Sequence, residues 1–269
     1  MSESTTPLKQ DKSSRQPVLK TEHLGVTFGG LRAVGDFDLE LYDGELVGLI
    51  GPNGAGKTTV FNLLTGVYKP TEGAVYVDGK SISGKMPHQV ARAGIARTFQ
   101  NIRLFKSLSV LENVKVAFNQ NMTYSVLGGI FRTPAYWREE AEIDRKAREI
   151  LRVFNMEESC EAKAANLPYG KQRKLEVARA LATGARILLL DEPAAGMNPT
   201  ETAELMEAIT TIRERFGVSI LLIEHDMSLV MSICERIIVI DYGQIIAAGT
   251  PFEVANDPKV IGAYLGDGE

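Results

Sequence analysis

Apolar and polar positions alternate over residues 18–28 and 37–41, the period-two pattern of strands with one buried face. Over residues 45–50 the alternation gives way to a continuous apolar run, as in a strand covered on both sides. A glycine-rich turn follows, then a helical pattern over 57–65 that stops at Gly66. Residues 73–78 predict a further strand, closed by the turn Asp78-Gly79. Between about 101 and 166 the period becomes helical, at 110–119 and 136–154, with charged runs such as Arg138-Glu139-Glu140. Gly128-Gly129 and Pro134 interrupt it over 119–134. The alternation of strands and helices then resumes. Residues 171–182 are helical, 186–190 extended, and Asn198 caps a helix that starts at Pro199 and runs to 216. A strand at 218–223 precedes a short helix capped by Asp226 and ending at 234, and 236–240 and 244–248 flank Asp241-Tyr242-Gly243 as a hairpin.

This order predicts an α/β fold with a mostly parallel sheet covered on both faces. It divides the chain into a disordered tail (1–16), the first part of a core (17–100), an inserted helical subdomain (101–166), and the rest of the core with a C-terminal extension (167–269). The tail is rich in Ser, Thr, Lys and Gln and lacks the apolar centre of a signal peptide. The apolar runs at 187–190, 218–223 and 237–240 fall far short of the ~20 residues that span a bilayer. No transmembrane segment is expected. Apolar residues at 44% and charged residues at 24% leave ample material for a core. A net charge of -4 argues against a general nucleic-acid binder, which carries a basic excess. Cys160 and Cys234 are far apart and lack zinc-site spacing, so they read as reduced thiols. His23, His88 and His225 are equally scattered and suggest no metal cage.

Two motifs carry chemistry. Gly51-Pro52-Asn53-Gly54-Ala55-Gly56-Lys57-Thr58, followed by Thr59, fits the phosphate-binding loop, and it sits after a buried strand at the opening of a helix. Its glycines let successive backbone N–H groups converge on a phosphate, and the helix start adds its positive dipole end. Lys57 brings a point charge to the β- and γ-phosphates, and the Thr58 hydroxyl can ligate Mg2+. The second motif is Ile187-Leu188-Leu189-Leu190-Asp191-Glu192, a buried strand that delivers a carboxylate able to hold the magnesium. Glu192 follows immediately, placed to orient or deprotonate an attacking water. Together they predict a phosphate-loop ATPase or GTPase.

Further segments narrow the class: Gln100 before the helical block, Leu167-Pro168-Tyr169-Gly170-Lys171-Gln172-Arg173 opening a helix, Pro193-Ala194-Ala195-Gly196-Met197-Asn198-Pro199 after the carboxylates, and Glu224-His225-Asp226 at a strand end. In this order the set resembles the ATP-binding cassette (ABC) ATPases from residue 18 onward. Within them the chain is similar to the ATPase subunits of branched-chain amino-acid importers. Leu-Pro-Tyr-Gly in place of Leu-Ser-Gly-Gly, the Ala-Ala-Gly-Met-Asn-Pro run and the long helical insertion carry that match.

The resemblance implies a P-loop NTPase (RecA-like) core with an antiparallel β edge and an inserted helical subdomain. It implies two cassettes set head to tail, with the 51–59 loop of one and Leu167 to Gln172 of the other gripping one ATP. It makes Glu192, His225 and Gln100 catalytic, and Thr58, Gln100 and Asp191 the Mg2+ ligands. Phe28 is matched to the adenine-stacking aromatic, with Phe37 nearby. Pro168 departs from the family by replacing a serine hydroxyl, and Asn198 by replacing an aspartate. The implied partners are a second ATPase subunit (identical or a paralogue), two membrane permease subunits and, indirectly, a periplasmic or extracellular binding protein. Nucleic acid is not among them. The implied location is the cytoplasmic face of the cell membrane. Urea or amide importers and lipopolysaccharide exporters share much of the Ala-Gly segment and remain alternatives, as does a soluble ABC ATPase acting on nucleic acid. The apolar residues of 124–131 are read either as a contact for membrane subunits or as a packing patch.

Overall fold

A computed structural model describes residues 16–118 and 133–265. The expected tail before residue 16 and the segment 119–132, with its apolar 124–131 stretch, lie outside the described residues. Strands β1 (Leu19–Phe28), β2 (Leu31–Leu41), β4 (Glu72–Val77) and β5 (Lys80–Ser81) form an antiparallel sheet in the order β2-β1-β4-β5. A second, six-stranded sheet contains β3 (Leu46–Ile50), β6 (Ile95–Arg97), β7 (Ile187–Asp191), β8 (Ser219–Ile223), β9 (Arg236–Asp241) and β10 (Gln244–Gly249) in the order β10-β9-β3-β8-β7-β6. It is parallel except for β10, which returns antiparallel along β9. The helices are α1 (Lys57–Leu64), α2 (Pro87–Arg92), α3 (Val110–Ala117), α4 (Pro134–Val153), α5 (Tyr169–Ala182), α6 (Pro199–Phe216), α7 (Met227–Ile233), α8 (Pro251–Ala255) and α9 (Pro258–Leu265).

Every residue of β3, β7 and β8 is buried, which explains their unbroken apolar runs. Alternate side chains go to opposite faces. Leu46, Ile50, Leu188, Leu190, Ile220 and Leu222 join one apolar cluster, while Val47, Leu49, Ile187, Leu189, Leu221 and Ile223 join the other. Burial of each such side chain contributes about 1.5–3 kcal/mol. The first cluster continues into the inserted block through Val110, Val114, Leu151 and Phe154, with Leu175 and Ala178 of α5 between block and sheet. The apolar core therefore runs without a break across residue 166.

Local sequence sets the helix starts. Ser109 accepts from the Glu112 N–H at 3.2 Å while the Glu112 carboxylate accepts from the Ser109 N–H at 2.7 Å, a reciprocal cap on α3. Asn198 accepts from the Glu201 N–H at 3.0 Å ahead of Pro199. Asp226 caps α7 through Ser228 and Leu229. Three features differ from the sequence reading. Strand β2 begins at Leu31 rather than at 37, because its first residues are exposed and bulges interrupt its register with β1. The short elements α2 and β6 carry no readable period. The C-terminal extension folds into α8 and α9.

Candidate nucleotide-binding and catalytic site

The loop between β3 and α1 is curled by glycine. Gly54 and Gly56 have φ of 82° and 106°. A Cβ on Gly51 would lie 2.0 Å from the Ile240 carbonyl oxygen, so no other residue fits there. The β9–β10 hairpin braces the loop from outside, the Gly243 N–H donating to the Ala55 carbonyl at 2.9 Å. Lys57 folds back into the concavity and donates from Nζ to the Gly51 and Pro52 carbonyls at 2.6 and 2.8 Å. Burial holds its ammonium below the usual lysine range, opposed by the carboxylates of Glu192 and Asp191. A partly desolvated cation beside inward-facing amides is a phosphate cradle.

Across from it, β7 delivers Asp191 and Glu192. Asp191 is buried and paired at 2.7 Å with Arg97, which is itself buried. Glu192 takes the left-handed conformation, φ 48°, with its N–H donating to the Ile223 carbonyl at 2.9 Å. Outside glycine that conformation is costly and persists only where its surroundings enforce it. It turns the carboxylate toward two partners. His225 Nε2 lies 2.6 Å from Oε1, and Gln100 Nε2 donates to Oε2 at 3.2 Å. The carboxylate is thus fixed in position at both oxygens.

Glu192, His225 and Gln100 share one cavity of about 280 Å³ with the loop, lined by Asn53, Gly54, Ala55, Gly56, Lys57, Thr58, Thr59, Gln100, Glu192 and His225, whereas Asp191 lies behind it against Arg97 and is not part of the lining. Residues spread from position 53 to 225 thus converge on a single space. A search for relatives explains the convergence. The profile described as "ABC transporter" matches residues 34–195, and that of the "Branched-chain amino acid ATP-binding cassette transporter" matches 244–269.

The chain belongs to the ABC transporter ATP-binding family.

It is 49% identical over 252 residues to the high-affinity branched-chain amino acid transport ATP-binding protein LivG of Escherichia coli K12, covering 94% of this chain and 99% of that one. To BraF of Pseudomonas aeruginosa, described in the same words, it is 48% identical over the same shares of the two chains. A solved ATP-binding cassette of an ABC transporter, in its ADP conformation, superposes with a TM-score of 0.80 at 32% identity and covers 94% of this chain and 100% of that one.

In this ABC cassette Phe28 is exposed and meets Tyr68 edge-on at 5.1 Å between ring centroids, while Phe37 is fully buried in the core. Of the two, only Phe28 has a free face. Leu167 to Gln172 do not line the cavity of their own chain. Leu167 and Gly170 are buried, Tyr169 is exposed, Gln172 donates to the Leu167 carbonyl at 2.8 Å and Lys171 reaches Ser159 at 3.3 Å. A Cβ at Gly170 would meet only the movable end of the Glu201 side chain, at 2.4 Å. Thr58, Gln100 and Asp191 offer hydroxyl, amide and carboxylate oxygens, the hard donor set that suits Mg2+.

The motifs read from the sequence do not single out Arg97 or Thr98 and give Glu224 no role. Arg97 also donates to Asn62 at 2.6 Å and stands over the rings of Phe61 and Phe99. The Thr98 hydroxyl accepts from the Asp191 N–H at 3.2 Å. Glu224 is buried beneath His225 and accepts from the N–H groups of Ala194 at 2.8 Å and His225 at 3.3 Å. Burial pushes its carboxyl above the usual range against those two donors. An arginine ending an apolar strand beside Thr-Phe-Gln was the available signal for the first of these. His23 of β1 lies 2.6 Å from Asp36 and 3.8 Å from Asp38 of the neighbouring β2, all three exposed.

Proposed function

We propose that this ABC ATPase energises the import of branched-chain amino acids, as one of two cassettes bound to membrane permease subunits on the cytoplasmic face. The observation that carries the catalytic half is Glu192, held by His225 and Gln100 in the cavity that the phosphate loop lines. The curled amides of residues 51–59 bind the triphosphate, and Lys57 leaves the Gly51 and Pro52 carbonyls to meet it. Thr58, Asp191 and Gln100 would hold Mg2+, which neutralises charge between the β- and γ-phosphates when bound. Phe28 stacks on adenine with its exposed face. Glu192 orients water and takes its proton, and His225 keeps the carboxylate aimed.

The cavity is open on one side, and Leu167, Pro168, Tyr169, Gly170, Lys171 and Gln172 face elsewhere. This favours completion of the site by the same segment of a second cassette. The first turn of α5 has N–H groups with no acceptor within the helix, which supplies backbone donors although Pro168 has no hydroxyl. Asn198 is committed to capping α6, which suits a positional role in the loop after Glu192.

Support for a membrane partner is a largely apolar groove of about 650 Å³ between core and helical block, bordered by Val90, Ile95, Phe99, Phe105, Val116 and Ala180. No helix among the described residues is long and apolar enough to cross a membrane. Support for the substrate is the near-half identity along almost the whole chain to proteins named for branched-chain amino acid transport.

The test is reconstitution in vesicles with the permease and binding-protein subunits of a branched-chain amino-acid importer. The reading expects Mg-ATP-dependent uptake of leucine, isoleucine and valine that is lost in Glu192→Gln. Uptake of urea instead, or hydrolysis indifferent to every permease offered, would refute it.

A further inference from the structure

Tyr169 stands where the wider family has a small residue, and its ring and hydroxyl are both engaged inside its own chain. The hydroxyl donates to the Ala195 carbonyl at 3.0 Å, and the ring lies against Gly196, where a Cβ would sit 3.2 Å from a ring carbon. Gly196 is in the left-handed region, φ 76°, so the loop after Glu192 is shaped around that ring. One turn along α5, the side chain of Arg173 is 4% exposed. Its guanidinium donates from Nε to the Tyr169 hydroxyl at 3.0 Å, from Nη1 to the Phe99 carbonyl at 3.1 Å and from Nη2 to the Gln100 carbonyl at 2.7 Å. Glu176 steadies the same turn by accepting from the N–H groups of Phe99 at 3.4 Å and Arg103 at 3.3 Å.

Followed end to end, these contacts close a ring. The Gln100 side chain holds the Glu192 carboxylate, Arg173 holds the Gln100 backbone, Tyr169 joins Arg173 to Ala195, and the Ala195 N–H donates to the Glu192 carbonyl at 3.2 Å. Glu192 is thereby tethered through both its side chain and its backbone, which is what its left-handed conformation requires.

We propose that Tyr169 and Arg173 are positioning residues for Glu192 of their own subunit, so that the segment gripping a partner's ATP also sets the geometry of its own catalytic carboxylate. The inference rests on the role of Glu192 given above. Mechanically, any shift of the α5 start as it closes on the partner's nucleotide moves Tyr169. The guanidinium and the 193–197 loop carry that shift to Glu192. The fork of Arg173 is suited to this, since three planar donors reach three acceptors without rotamer loss. Neither residue touches nucleotide for this purpose.

The test uses the full-length chain with Tyr169→Phe, which keeps the ring and removes the hydroxyl, and with Arg173→Lys, which keeps the charge and loses the fork. Steady-state hydrolysis over a range of ATP concentrations separates kcat from KM. Expected for Tyr169→Phe is a roughly tenfold fall in kcat, short of the ~100-fold that a 1 Å misplacement costs. KM and the affinity for a fluorescent ATP analogue stay within about twofold, the pattern of a lost transition-state interaction rather than lost binding. Melting temperature falls by only a few degrees, as expected for one lost hydrogen bond to a buried donor. Because the two residues act in one ring, the double variant costs no more than the worse single one.

Unchanged kcat in Tyr169→Phe, or effects that multiply in the double variant, would overturn the proposal. If Arg173→Lys does not fold, Tyr169→Phe decides alone. Glu192→Gln measured in parallel separates the two levels. An inactive Glu192→Gln beside a fully active Tyr169→Phe removes the ring and spares the general base, whereas an active Glu192→Gln removes the general base itself.

Discussion

Replacing Arg97 with methionine tests what its buried pairing with Asp191, the proposed magnesium ligand, contributes in the absence of nucleotide. The side chains of Arg97 and Asp191 are 6% and 4% exposed, and they meet at 2.7 Å. Methionine fills the apolar volume between Phe61 and Phe99 but leaves Asp191 without its cation. Removing one member of a buried pair costs about 3–5 kcal/mol, because the remaining charge is uncompensated. In a domain of this size each kcal/mol lowers the melting temperature by about 2–4 °C, so the nucleotide-free variant should melt roughly 6–20 °C below the parent. On the proposed reading, bound Mg-ATP would place a divalent cation beside the same carboxylate. Its stabilising shift should therefore be larger in Arg97→Met than in the parent, and ATP with a chelator should not reproduce it. Adding Asp191→Asn to Arg97→Met removes the orphaned charge and should recover most of the lost stability without ligand. The assay is differential scanning fluorimetry of the variants in the nucleotide-free, Mg-ATP and ATP-plus-chelator states. A fall of less than about 2 °C in the nucleotide-free variant, or the same fall with and without Mg-ATP, would refute the reasoning.

Two further outcomes follow from named groups. Lys57→Ala should weaken ATP binding about 10- to 100-fold, the ~1.5–3 kcal/mol of a charge-assisted contact, in a fluorescent-nucleotide titration. Since burial already penalises the ammonium, the same change should leave nucleotide-free stability intact. Glu224→Gln gives a pH signature. A carboxyl whose folded pKa lies above its unfolded value makes the native state bind more protons, so stability declines as pH rises through the interval between them. Glutamine keeps an acceptor for Ala194 and cannot ionise. The variant should therefore gain melting temperature on the parent at pH 8 and lose that advantage below the ordinary glutamate range. A constant difference across pH would count against a buried carboxylate there.

The long, regular parts of this architecture were legible in the sequence because a single physical cause dominated each of them. Burial on both faces made β3, β7 and β8 unbroken apolar runs, and the caps at Asn198 and Asp226 announced α6 and α7. The phosphate loop was legible because only glycine tolerates its curvature and close approaches. What stayed hidden depended on contacts between distant residues. Arg97 meets Asp191 across 94 positions, and Arg173 meets the Phe99 and Gln100 carbonyls across 74 and 73. No local period encodes such pairs. The elements α9 and β6 are too short or too near an end to show a pattern. Adjacent Asp191 and Glu192 suggested their division of labour by order alone. Only the fold shows one buried against Arg97 and the other turned by a left-handed backbone into the cavity.

The most direct measurement is single-turnover hydrolysis of ATP by Glu192→Gln beside an equilibrium titration with Mg-ATP. Glutamine preserves the shape that His225 and Gln100 grip and removes only the ability to take a proton. The account predicts a loss of at least ~100-fold in rate, the lower end for a general base, with Mg-ATP affinity retained. Hydrolysis within about threefold of the parent would contradict it, because a change that small is below what removing a general base produces.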